Sequence, residues 1–165
     1  FFTHMATDFF LDIEGIKGES ADDKHKDKIQ LLSFSWGASN TGSFASNTGG
    51  GAGKATFSDF SFAMNINKAS PELMLSCATG KHIKKAQLIC RKAGDKQQEY
   101  MKVEFTDLLV SSYQTSGAGG SDIPTDSISL NFATLKYEYA PQKADGTLDT
   151  PVIRGYDIKK QVKIG

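Results

Sequence analysis

Apolar and polar residues alternate along most of this chain, and a period of two marks strands with one buried face. Phe9, Leu11 and Ile13 alternate with Phe10, Asp12 and Glu14 until Gly15 ends the run. Leu32, Phe34 and Trp36 fall on one face and Ser33 and Ser35 on the other, which predicts a core side and a solvent side. Phe60, Phe62, Met64 and Ile66 form the cleanest stripe, and over 83–91 Ala86, Leu88 and Cys90 oppose Gln87, Ile89 and Arg91. Further on the phase slips. Met101, Val103 and Phe105 give way to Leu108 and Val110, and Ile128, Leu130 and Phe132 give way to Leu135. A slip of one residue turns an apolar set outward unless a bulge or bend absorbs it. Two slips in long strands therefore predict a curved sheet or barrel. A last strand is expected over 152–158, leading to a tail with Lys159, Lys160 and Lys163.

One segment reads as a helix. Ser70 can cap its start, Pro71 suits the first helical position, and Glu72 complements the positive end of the helix dipole. Leu73, Met74, Cys77 and Ala78 recur at helical spacing, and Gly80 supplies a left-handed stop. The expected fold is mainly β, with curved antiparallel sheets forming a β-barrel, one lateral α-helix and a long exposed β-hairpin loop. That loop is the glycine-rich excursion after Trp36, in which Ser39-Asn40-Thr41-Gly42 recurs as Ser46-Asn47-Thr48-Gly49. A loop this long and this poor in apolar side chains is usually kept for contact. Asn40, Thr41, Gly42, Asn47, Thr48, Gly49, Gly50 and Gly51 are accordingly the candidate residues for touching another subunit.

At 165 residues the chain fits one domain able to bury roughly 70% of its unfolded surface. Phe1 to His4, ahead of Met5, read as a scar of expression, leaving 5–165 as the domain. Lys plus Arg and Asp plus Glu each number 19, so no global field draws the chain to nucleic acid or acidic lipid. The run Asp22 to Lys28 mixes both signs and reads as a solvated loop. No stretch suits a membrane span or anchor, and no charged start leads into the apolar run of a secretory signal. Cys77 and Cys90 are too few for a disulfide framework and read as free core thiols, although one bridge between them stays open.

Candidate chemistry is thin. Gly49 to Ala55 invites a phosphate-loop reading, but Thr48 and Ala55 stand where glycine and a hydroxyl residue are needed, and a strand follows instead of a helix. His25 and His82 lack partners at metal-ligand spacing. No Gly-x-Ser-x-Gly elbow is present. Asp12 and Glu14 share a strand face, the minimum for paired-carboxylate chemistry, as ordinary exposed carboxylates also do. No catalytic, cofactor or metal site is expected, and the chain reads as a non-enzyme.

A series of short motifs occurs in one order: Met5 to Ile13, Gly18-Glu19-Ser20, Phe34-Ser35-Trp36-Gly37, Gly50-Gly51-Ala52-Gly53-Lys54 and Leu75 to His82. Leu108 to Ser112, Leu130-Asn131-Phe132-Ala133 and Tyr139 to Gly146 complete it. Together they resemble Hcp, the haemolysin-coregulated proteins that form the tube of the bacterial type VI secretion system. The chain departs from that pattern at Gly155-Tyr156-Asp157, where an aromatic motif with tryptophan is expected. The resemblance implies a structural subunit that closes six-fold into rings. It also implies partners: stacked copies of itself, a VgrG spike, a contractile sheath and small effector proteins carried in the lumen. Assembly in the bacterial cytoplasm, then release to the exterior or a target cell without a signal peptide, follows from the same resemblance. In such a ring Ser33 and Ser35 are the candidate lumen and cargo-facing residues. The competing expectation is a monomeric small β-barrel module whose glycine-rich loop grips a peptide or glycan.

Overall fold

The computed structural model describes residues 7–42, 53–92, 97–120 and 122–165. Strand β1 (Thr7–Ile13) lies between β2 (Ile29–Leu31) and β7 (Ile83–Lys92), antiparallel to both. β7 pairs with β8 (Glu99–Ser116), and β8 with β9 (Thr125–Tyr139). The first half of β9 pairs with β6 (Phe60–Asn65), which in turn pairs with β3 (Ser33–Ser35). Only Leu32 separates β2 from β3, and its N–H bonds to the Ala63 carbonyl of β6 at 2.8 Å. The ladder therefore returns to its starting strand through the segment 29–35 and closes as a barrel. The second half of β9 pairs with β10 (Val152–Asp157), and β10 with β11 (Val162–Ile164), as an overhang beyond the closure. β4 (Ala38–Asn40) and β5 (Ala55–Phe57) form a separate ribbon.

Leu32 is the correction this topology imposes. Ile29 and Leu31 already face the core at 0% and 6% exposure, whereas Leu32 is 54% exposed. Phe34 and Trp36 then pack half-buried against the core. The chain changes partner from β1 to β6 at this point, and the change of phase turns one residue outward. The later slips have a similar origin. Asp107 drops out of the β8–β9 register with φ at 54°. Opposite it, β9 skips Ala133, whose carbonyl accepts the Ile158 N–H at 2.9 Å. Both strands slip together here, so the register is the same on either side and Leu108, Phe132 and Leu135 stay inside. The ladder's register shift lies further on, between Val110 and Ser112. The centre is aromatic: Phe105 lies 4.9 Å from Phe60 and 4.7 Å from Phe132, ring centre to ring centre.

Helix α1 (Ala69–Thr79) lies against β8. Its start differs from the expected cap. The Asn67 side chain accepts the Ala69 N–H at 2.8 Å, and Ser70 Oγ accepts the Asn67 N–H at 3.1 Å. Ser70 also donates to the buried Asp126 carboxylate at 2.5 Å, bolting the helix to β9. The buried face runs through Ala69, Ser70, Leu73 and Ser76, while Met74 and Ala78 point outward and Cys77 is half-buried. Gly80 ends the helix in the left-handed conformation, φ 62°. Cys77 and Cys90 are free thiols, and Cys90 is fully buried.

The charged segment 17–28 is a strap. Phe10 and Ile89 face the outside of the barrel yet are 2% and 3% exposed, because this segment folds over them. His25, 4% exposed, stacks on Phe10 at 4.7 Å and bonds through Nε2 to Glu99 at 2.6 Å. Arg91, also over the Phe10 ring, donates to both Asp22 oxygens at 2.7 and 2.9 Å. Asp22 and His25 are thus paired with Arg91 and Glu99 across the sheet, while Asp23, Lys24 and Lys26 stay exposed, as expected of a solvated loop. Gly18 is required in the strap, since a Cβ there would sit 2.6 Å from the Lys28 carbonyl oxygen.

Candidate functional site

The outer surface of the barrel has two characters. Over β7 and β8 it is charged, with Lys85 and Glu104 paired at 3.2 Å. Asp12 and Glu14 open onto this side with Lys85 and Gln87, and His82 pairs with Asp107 at 3.0 Å in an exposed position. Over β3, β6, the first half of β9 and the end of β8 lies a groove lined by hydroxyls and an amide with no charged side chain. The Asp59 carboxylate stands beside it, held by Ser111 at 2.6 Å and Asn131 at 2.9 Å. Register explains how. Ser35 lies opposite Ser61, Ser61 opposite Ser129, and Ser129 opposite Ser112. A second row places Ser33, Ala63, Ser127 and Gln114 side by side across the same strands. Ser61 and Ser129 are hydrogen-bonded at 3.0 Å, and the rows floor a shallow groove of about 450 Å³.

Ser33 and Ser35 are exposed on this face, as their alternation with Phe34 requires. The rest of the face is not visible in one strand. Ser61, Ser127 and Ser129 are the polar partners of Phe62, Ile128 and Leu130, so their outward direction is legible. Their assembly into rows is set by pairings such as Ser61 with Ser129, 68 residues apart in the chain. Small hydroxyls on flat strands can offer and accept hydrogen bonds in many geometries. They provide no nucleophile–base pair and no ion pair.

The second candidate surface is the hairpin. Asn40, Thr41 and Gly42 are exposed at its base. Asn40 Nδ2 donates to the Gly53 carbonyl at 3.0 Å, and Asn40 Oδ1 accepts the Gly42 N–H at 2.7 Å. The strands approach so closely that a Cβ on Gly53 would collide with the Thr41–Gly42 backbone. Gln161 holds the other side, bonding the Ala55 N–H at 3.0 Å. Asn47, Thr48, Gly49, Gly50 and Gly51 lie outside the described residues.

Two perturbed carboxyls belong to the strap and to the strand it bonds. Arg91 holds the Asp22 carboxyl down at about 2. Burial alone would raise the Glu99 carboxyl, but the His25 hydrogen bond and the Lys102 charge hold it below its usual value. Burial pushes the Cys90 thiol up to about 12.

The sequence pattern of the family described as "Type VI secretion system effector, Hcp" matches residues 10–139. Protein hcp1 of Pseudomonas aeruginosa is 45% identical over 161 residues, covering 96% of this chain and 99% of that protein. A solved structure described as a type six secretion system protein superposes with a TM-score of 0.91 at 31% identity, covering 96% of this chain and all of that one. Hcp1 from Salmonella typhimurium gives 0.78 at 38% identity, covering 97% and 100% of the two chains. With sequence pattern, full-length identity and barrel all in agreement, the chain belongs to the Hcp family of type VI secretion system proteins.

Proposed function

We propose that this chain is the repeating subunit of a type VI secretion tube. Six copies close into a ring, rings stack inside a contractile sheath beneath a VgrG spike, and contraction expels the tube into the surroundings or a target cell. The observation that best supports this reading is the hydroxyl-lined groove, whose lining includes no charged side chain. A channel lined by Ser33, Ser35 and their row partners leaves room for small effector proteins and repels neither charge sign. Avidity from six copies would strengthen each weak contact, provided one cargo touches several subunits. The hairpin bearing Asn40, Thr41, Gly42, Asn47, Thr48, Gly49, Gly50 and Gly51 reaches the adjacent subunit or ring. Native mass spectrometry tests the core of the proposal. A mass six times that of the chain is expected, and a strict monomer at tens of micromolar would overturn it in favour of a solitary binding module.

A further inference from the structure

Two exposed apolar patches of opposite charge lie at opposite ends of β9. Where β9 begins, Leu32, Ile66 and Ile123 are 54%, 44% and 48% exposed. The Ile66 N–H bonds to the Pro124 carbonyl at 3.0 Å, which seats Ile123 beside the end of β6. Leu32 and Ile66 share a groove of about 500 Å³ whose one ionisable lining residue is Glu19, and Asp122 joins Ile123 in the next concavity. Lys68, the nearest cation in sequence, lines a different groove with Glu72.

The other patch is the overhang. Val152, Val162 and Ile164 are 53%, 47% and 38% exposed. Residues 152–165 carry Arg154, Lys159, Lys160 and Lys163 against Asp157 alone. β11 ends its sheet, so among the described residues its outer edge has no strand partner. β6 pairs with Thr125–Leu130 and β10 with Thr134–Tyr139, so the patches sit at opposite ends of one strand and cannot cover each other within a copy.

We propose that the basic overhang of one copy docks on the acidic groove at Leu32, Ile66 and Ile123 of the next copy. The inference rests on the subunit reading above and locates the contact that reading needs. Joining two different patches head to tail gives a contact that closes into a ring when the rotation allows. Opposite charge on the two rims sets orientation, and the apolar residues leave water together.

Two variants test it. Ile66→Arg disables the groove and Val162→Asp disables the overhang, both at exposed positions. Each alone should be monomeric by native mass spectrometry at concentrations where the unmodified chain assembles. An equimolar mixture should give one-to-one dimers and nothing larger, because one intact overhang meets one intact groove. Where circular dichroism shows that either variant has not folded, Asp122→Lys and Lys163→Glu replace the pair. Assemblies of unmodified size from either variant overturn the proposal, as does a mixture that stays monomeric. If the unmodified chain is itself monomeric, the subunit reading fails first. If it forms rings that both variants also form, only the location of the contact fails.

Discussion

Arg91 is 2% exposed and carries a full charge, so its partners decide whether the strap stays shut. The two hydrogen bonds it donates to Asp22 lower that carboxyl from 3.8 to about 2. A depressed carboxyl adds stability above its unfolded value and loses it as pH falls between the two values. The strap should therefore loosen from about pH 4 down to about pH 2. Hydrogen exchange over 17–28 should rise across that window, and Asp22→Asn should exchange fast already at neutral pH. Equal protection in the variant would show that Arg91 is not what closes the strap. Cys90 makes a different point. Fully buried and with its thiol pushed up to about 12, it should resist alkylation in the folded protein. Cys90→Ala should cost about 1–3 kcal/mol in urea unfolding through lost packing, while secretion of the folded variant survives. Loss of secretion at unchanged stability would assign the thiol a role in function. Cys90 is the buried thiol that its strand context predicted, whereas Cys77, expected in the core as well, is only half-buried. The burial of His25 was not legible in the sequence, because its cover is Phe10 and its partner is Glu99, 74 residues away.

At the level of elements, alternation placed β1, β6, β7, β8 and β9 well, and it located both phase slips. It failed where a strand changes partner, as at Leu32, since alternation assumes one neighbour throughout. It also misjudged the start of α1. Asn67 caps the helix through its side chain, and the Ser70 hydroxyl is committed to Asp126, a partner 56 residues away. Of the serine face, Ser33 and Ser35 were readable and the two rows were not. The hairpin yields a prediction of its own. Replacing the stretch from roughly Asn40 to Gly53 by a two-residue Asn-Gly turn should leave far-ultraviolet circular dichroism nearly unchanged, because a segment so rich in glycine and small polar residues cannot support a core. Ring stacking, followed by electron microscopy, should weaken. Full-length tubes from the shortened protein would remove the hairpin from stacking.

For the whole molecule, the separation of a charged side from a hydroxyl side matters more than any one residue. Ser35→Glu places a like charge from every copy around the proposed channel without touching the core. Rings should still form, with cargo capture reduced in pull-down assays. Dissociated rings would instead put Ser35 in a contact between copies. The closure through Leu32 has a further consequence, in time rather than in space. The barrel cannot shut until β6 meets β9, and Ser61 waits 68 residues for Ser129. Arg91 likewise reaches back 83 residues to Asp8. Contacts this distant in sequence slow folding, since the loop entropy is lost before the contact is gained. During synthesis β1 and β2 can pair early, but β6 must wait for β9, so the barrel stays open until most of the chain has emerged. Until then the open edges of β2 and β6 are templates for pairing with the wrong chain, a hazard that the finished barrel no longer carries.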